Sequence, residues 1–155
     1  MTLSQTSPIL TELKLTPQVK QIVNNALMKG RPMSFAYTDD NGEPHLSFRG
    51  SLQAYSETQL AIWVRNPEGG LLKAIARHPA VVALYGDLSP DSKAFLTFRG
   101  RGRVDKAESV RRTVYGNSPE PERNMDKDRK GLPLVIDLDS VSGMVPGALL
   151  NMRRT

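Results

Sequence analysis

Two arginines and a glycine pair between residues 44 and 87 are of the types that bind anions. Arg49 lies on the polar face of a predicted strand and Arg65 ends the next one, so their guanidinium groups could converge on one anion. Gly69 and Gly70 open a predicted short helix, whose first N–H groups favour a negative charge. An exposed strand position would also explain each arginine, and a plain loop would explain the glycines. The segment therefore predicts either a phosphate site or an ordinary polar surface.

A second set of cations alternates along one face of a predicted long strand, 94–104: Arg99, Arg101 and Arg103. Like charges on one face repel each other, so this face calls for an anion or an acidic partner. The alternative is a solvated edge strand, on which charge prevents aggregation. Gly100 and Gly102 leave the opposite face nearly bare, which predicts a bulge or the close approach of another backbone.

The aromatic and histidine side chains offer few further candidates for chemistry. Trp63 could stack against a flat ring or fill a core, and we favour the core. His45 lies on the polar face of its strand and could act as an acid or base, whereas His78 precedes Pro79 and is expected to be structural. Two isolated histidines without a nearby glutamate do not predict a metal site. Because no nucleophile motif is present, redox chemistry would require a bound cofactor, and catalytic residues are not identified.

The hydrophobic pattern predicts six strands, at residues 33–38, 44–54, 59–65, 81–85, 94–104 and 132–138. Strict alternation in 44–54 predicts one buried face that contains Leu46 and Phe48. The almost continuous apolar run 81–85 predicts a strand that is covered on both sides. Because hairpin turns such as 39–42 link the strands, we expect an antiparallel barrel.

Three helices are expected on the outside of this barrel. Thr16 can cap the first helix, Pro17 occupies its first position, and Gly30 ends it. A second, short helix ends before Pro79. The third begins at a capping-box pattern in residues 105–108.

The 155 residues suffice for one domain, with residues 1–14 as an arm or short helix and residues 143–155 as a tail. The net charge of +5 favours anionic partners. Nucleic acid ranks last among them because aromatic side chains are not interleaved with the basic ones. The chain has no cysteine, which excludes disulfides and fits the cytoplasm. No signal peptide and no apolar run of roughly 20 residues is present, so we expect a soluble protein without a membrane partner.

Several segments, in their order and spacing, resemble the pyridoxamine 5'-phosphate oxidase-like family of flavin-binding split barrels. They are D-D-N-G-E-P-H-L-S at 39–47, R-G-S at 49–51, I-W-V-R at 62–65 and A-R-H-P-A-V-V-A-L at 76–84. The resemblance covers residues 18–138. It implies a split β-barrel with flanking helices, and a homodimer with two flavin mononucleotides in grooves between the subunits. By this likeness, Arg49 binds the flavin phosphate, and Trp63 and Val64 lie alongside the isoalloxazine ring and the ribityl chain.

The sequence departs from the family pattern at the start of the short helix. Many relatives carry Ser-Arg-Lys or Ser-x-Lys there, and this chain has Gly69-Gly70-Leu71, with Lys73 two residues later. Related split barrels bind the deazaflavin F420 or heme, or have lost flavin, and the arginines of 99–103 would suit the acidic tail of F420. The predicted cofactor-binding residues are Arg49, Gly50, Ser51, Trp63, Val64, Arg65, Gly69, Gly70, Leu71, Arg99 and Arg101.

We therefore expect a mainly β, single-domain split barrel that acts as an FMN-dependent oxidoreductase on a small organic substrate. The alternatives are an F420-dependent reductase and a non-catalytic flavin- or heme-binding or stress-related protein. The residues 143–155 could shape the substrate site of the partner subunit.

Overall fold

The computed structural model describes residues 7–155, which form nine strands and four helices. In chain order these are β1 (Ile9–Glu12), α1 (Pro17–Asn25), β2 (Ser34–Thr38), β3 (Pro44–Phe48), β4 (Gln53–Ser56), β5 (Gln59–Val64), α2 (Gly70–Arg77), β6 (Ala80–Asp87), β7 (Ala94–Val104), α3 (Glu108–Asn117), α4 (Glu120–Asn124), β8 (Leu132–Val145) and β9 (Ala148–Arg153). The predicted mainly β fold with flanking helices is confirmed. Within this part of the chain no helix has the length and hydropathy that crossing a membrane requires.

The strands form one sheet in the order β1-β9-β8-β7-β6-β2-β3, from which β5 and β4 branch. β8 makes the branch possible because its first half pairs with both β5 and β7, and its second half pairs with β7 and β9. All these pairs are antiparallel as predicted, except that β1 runs parallel to β9. The sheet is therefore mixed, and its two arms give the split-barrel arrangement.

The predicted strand 44–54 is wrong as a single element. The chain forms β3, turns at Arg49–Leu52, where the Leu52 N–H donates to the Arg49 carbonyl at 3.2 Å, and continues as β4. β3 pairs with β2, whereas β4 pairs with β5 in the other arm of the sheet. A straight strand could not serve both partners, so the turn moves the chain from one arm to the other.

The predicted burial of Leu46 and Phe48 is also wrong, since they are 74% and 69% exposed. β3 is an edge strand, and its apolar side continues across the outside of β2 and β6. Leu46 is opposite Ala36, which is opposite Val82 on β6. Leu84, next on this side of β6, is 49% exposed, so the expectation that β6 is covered on both sides is wrong too. We call Leu46, Phe48, Val82 and Leu84 the outer apolar face.

Three local predictions at the ends of the chain and in α3 are corrected. The last predicted strand continues to Val145, and β9 occupies most of the predicted tail. Residues 9–12 form a strand rather than a helix, and residues 1–6 of the predicted arm lie outside the described part of the chain. The capping box at 105–108 does not form, because Asp105 Oδ1 accepts from the Ala107 N–H at 3.0 Å, and no side chain among residues 7–155 caps α3.

The predicted start of α1 and the predicted bounds of β7 are confirmed, whereas the predicted end of α1 at Gly30 is wrong. The helix ends at Asn25, because residues 26–30 leave the helix as turns. Thr16 Oγ1 accepts from the Val19 N–H at 3.2 Å, and Pro17 starts the helix. β7 has the predicted bounds, with its arginines exposed and its other face buried. A Cβ atom at Gly100 would collide with the Asp137 carbonyl oxygen, and the register shifts beside it, so both the close approach and the bulge are present.

Candidate functional site

A cleft of about 610 Å³ opens where the β3–β4 turn, the end of β5 and the start of α2 meet. Its walls include nine of the predicted cofactor-binding residues: Arg49, Gly50, Ser51, Trp63, Val64, Arg65, Gly69, Gly70 and Leu71. The β3–β4 turn supplies the first three, because it carries the chain from one arm of the sheet to the other. The structure thus brings the separate motifs of residues 49–51, 63–65 and 69–71 to one place.

The guanidinium group of Arg49 lies in this cleft with an unused hydrogen-bond donor. Its Nε is buried and has no partner within residues 7–155, while the Arg49 backbone N–H donates to the Met33 carbonyl at 2.9 Å. Burial lowers the Arg49 pKa, and the charge of Arg65 lowers it further, whereas Tyr37 and Glu122 raise it. Because a buried donor without a partner is costly, this end of the cleft favours a ligand with an anionic acceptor.

The first turn of α2 forms another wall of the cleft. Gly69 is the N-cap, and its N–H already donates to the Asn66 carbonyl at 3.1 Å, so Gly69 does not offer the free amide that we expected. Asn66 Oδ1 also accepts from the Glu68 N–H at 3.1 Å, which holds the loop. The N–H groups of Gly70 and Leu71 come next, and the start of a helix leaves these without an intrahelical acceptor.

Ser51 and Trp63 shape the cleft chiefly as structural residues. Ser51 Oγ accepts from the Trp63 N–H at 2.9 Å and donates to the Trp63 carbonyl at 3.1 Å, which ties the β3–β4 turn to β5. Trp63 is 4% exposed and packs edge-on against Tyr115 at 5.1 Å between ring centroids, so the core interpretation is confirmed. Its Nε1 donates to Asp126 Oδ2 at 2.8 Å.

Asp126 holds the segment 118–131 over this part of the cleft. Besides the Trp63 indole, its carboxylate accepts from the N–H groups of Lys130 and Gly131 at 3.0 and 2.9 Å. Burial alone would raise the Asp126 pKa, but these hydrogen bonds and the charge of Arg65 lower it below its ordinary value. The carboxylate is therefore ionised at neutral pH and anchors the segment.

The arginines of β7 do not line the cleft. Arg101 pairs with Asp139 at 3.2 Å and Arg103 with Asp137 at 2.9 Å, so aspartates of β8 supply the acidic partners that the sequence called for. The hydrogen bond from Arg103 to Asp137 raises the Arg103 pKa. Because β7 lies between β6 and β8, the edge-strand alternative is wrong.

Arg99, the third of these arginines, has no ion-pair partner within the described part of the chain. It lines a separate groove of about 340 Å³ on the outside of the sheet. Tyr37 lines both this groove and the cleft.

The histidines lie outside the cleft. His45 Nε2 is 2.8 Å from Asp39 Oδ2, and the imidazole stacks on Tyr37 with 4.7 Å between ring centroids. The hydrogen bond from His45 is the largest cause that lowers the Asp39 pKa. His78 Nε2 is 3.3 Å from Asp40, in keeping with a structural position.

Six residues that line the cleft were not among the predicted site residues: Leu27, Pro32, Tyr37, Phe48, Asn66 and Glu122. Asn66 stands in the predicted loop between Arg65 and the glycine pair, and that position was the available signal. Tyr37 lies on β2, the strand that pairs with β3. Glu122 comes from a segment far along the chain, and no spacing pattern links it to Arg49.

Comparisons with known proteins support the fold. No protein-family model matches the chain, and no curated protein matches it. Among solved structures, a conserved hypothetical protein of Mycobacterium tuberculosis matches with a TM-score of 0.64 and 15% identity, over 93% of this chain and 90% of that one. A candidate pyridoxamine 5'-phosphate oxidase from Lactobacillus delbrueckii matches with a TM-score of 0.59 and 18% identity, over 85% and 96%. General stress protein 26 from Bacillus anthracis matches with a TM-score of 0.59 and 13% identity, over 86% and 98%.

These similarities extend over most of each chain, and at such identities they concern the fold. The chain therefore has the fold of the pyridoxamine 5'-phosphate oxidase-like split-barrel proteins.

Proposed function

We propose that this protein binds flavin mononucleotide in the cleft and uses it to oxidise or reduce a small organic molecule. The observation that carries the proposal is the buried Nε of Arg49, which has no hydrogen-bond partner in the described part of the chain. Arg49 lines the cleft together with Arg65 and the first turn of α2. A phosphate monoester offers the acceptors that these groups lack. One fold neighbour is described as a candidate pyridoxamine 5'-phosphate oxidase, which adds support by analogy.

The size and composition of the cleft fit a ligand of this kind. Its volume of about 610 Å³ lies within the usual range of small-molecule sites. Lys73 does not line the cleft, so it does not replace the lysine that many relatives carry. The phosphate would instead be held by Arg49, Arg65 and the amides of Gly70 and Leu71. When bound, the flavin would supply the hydride chemistry, and the chain would bind and orient it and exclude water.

We also propose that the protein is a homodimer whose second copy covers the outer apolar face. Leu46, Phe48 and Leu84 are 74%, 69% and 49% exposed, and contiguous apolar patches of this kind mark interaction sites. Phe48 belongs to this face and also lines the cleft, so a second copy seated here would close the open side of the cleft.

The dimer is tested by replacing an apolar residue of this face that does not line the cleft. Leu46→Lys should convert the dimer to a monomer in sedimentation equilibrium, because a charge would be buried at the interface. Leu88→Lys is the matched control, since Leu88 is 72% exposed and lies outside the outer apolar face. A wild-type protein that is monomeric at micromolar concentration would refute the dimer.

One observation favours F420 as a second candidate cofactor. Arg99 has no ion-pair partner among residues 7–155 and lies in a groove that adjoins the cleft at Tyr37, so an acidic tail could reach it. The choice is tested by the absorbance spectrum of freshly purified protein and by calorimetric titration with FMN, riboflavin and F420. We expect FMN to bind most tightly. Tighter binding of F420, or no binding of FMN, would refute the proposed cofactor.

A further inference from the structure

An acidic side chain lies in the cleft beside its arginines. Glu122, on α4, contacts the β3–β4 turn closely: a Cβ atom added to Gly50 would be 2.8 Å from the Glu122 carboxyl carbon and 2.9 Å from Oε2. Glu122 therefore lies at the Arg49 end of the cleft, where the phosphate of a ligand is expected.

Glu122 and Arg49 influence each other without forming an ion pair. Neither side chain belongs to an ion pair within residues 7–155. The Glu122 charge nevertheless raises the Arg49 pKa, against the larger effect of burial. Both side chains line the cleft, so a ligand bound there would meet both charges.

The segment that carries Glu122 is held in place. The Tyr115 hydroxyl donates to the Arg123 carbonyl at 3.1 Å, and the Arg123 guanidinium donates to the Ser118 carbonyl. Asp126, two residues beyond α4, accepts from the Trp63 indole at 2.8 Å. The carboxylate is therefore presented to the cleft from a braced support.

We infer that Glu122 is a specificity residue, whose carboxylate repels negative charge at the Arg49 end of the cleft. The cleft then accepts a phosphate monoester and discriminates against ligands that bring further anionic groups. The physical reason is that Glu122 offsets part of the positive charge that Arg49 and Arg65 bring to the cleft, so the attraction for anions is weaker than the two arginines alone would give. This inference rests on the proposed flavin phosphate site and names the charge class of its ligand.

The test compares FMN with riboflavin, which has the same ring and sugar chain without the phosphate. Glu122→Gln removes the charge and keeps the shape, so it should tighten FMN binding about tenfold and leave riboflavin binding unchanged. Glu120→Gln is the matched control, because Glu120 is exposed on the same helix and does not line the cleft. Equal FMN-to-riboflavin affinity ratios in the two variants would overturn the inference.

A second measurement does not depend on flavin binding. Inorganic pyrophosphate should raise the melting temperature of the Glu122→Gln variant more than that of the wild type or of the Glu120→Gln variant. If the wild type binds neither flavin, the proposed function fails, and this comparison still decides the role of Glu122. Equal pyrophosphate shifts in all three proteins would show that Glu122 does not select ligands by charge.

Discussion

The most direct test of the cleft is the substitution Arg49→Ala. A hydrogen bond to a charged group contributes about 1.5 to 3 kcal/mol, so losing the contact between Arg49 and a ligand phosphate should raise the dissociation constant of FMN about 10- to 150-fold. Arg65 and the amides of Gly70 and Leu71 remain, which is why binding should weaken rather than vanish. Isothermal titration calorimetry at fixed ionic strength measures the change.

We do not expect the same substitution to lower the stability of the ligand-free protein. Among the residues that the structure describes, the buried Arg49 Nε has no hydrogen-bond partner. Its removal should therefore leave the free energy of unfolding of the ligand-free protein unchanged or slightly raised. Arg101→Ala is the matched control for charge, because Arg101 pairs with Asp139 outside the cleft and should leave FMN affinity unchanged. The reasoning would be refuted if Arg49→Ala kept the wild-type affinity for FMN. It would also be refuted if Arg49→Ala destabilised the ligand-free protein while Arg101→Ala weakened FMN binding to the same extent.

Three further predictions concern the residues that support the cleft and the fold. Ser51→Ala should lower the free energy of unfolding by about 1 to 3 kcal/mol in urea titrations, because two buried groups of Trp63 lose their partner. Gly131→Ala should lower the melting temperature, since its Cβ would lie 2.7 Å from the Trp63 Nε1; an unchanged value would contradict the packing described here. The Ser89 N–H, the largest cause, holds the Asp87 pKa well below its ordinary 3.8. The stability that this ionised carboxylate contributes is present above pH 3.8 and is lost as the pH falls below it. Asp87→Asn should therefore destabilise the protein at pH 7 and make its melting temperature depend less on pH in the acid range.

The sequence predicted the structure best where one periodic pattern corresponds to one strand that keeps the same neighbours along its length. β7 has its predicted bounds and faces because Arg99, Arg101 and Arg103 alternate strictly with small or apolar residues. The sequence also placed Arg49, Arg65 and the glycine pair close together, because short connections keep consecutive elements close. Trp63 and Val64 were named from the family resemblance.

The failures share a different cause, which is tertiary structure. The alternation of residues 44–54 continues through the β3–β4 turn, so it gives no sign that the chain changes partner there. The exposure of Leu46 follows from the edge position of β3, which only the complete sheet defines. Glu122 reaches the cleft from a polar segment without periodicity, so its proximity to Gly50 has no local signal.

The position of β8 has a consequence for how the molecule folds and opens. This single strand pairs with β5, β7 and β9, so either arm of the sheet can detach only by breaking a ladder of hydrogen bonds along β8 itself. Its pairing partner β5 precedes it by about seventy positions in the chain, and such distant pairings make folding slow. We expect the amides of β8 to exchange with deuterium only through global unfolding, as one cooperative unit.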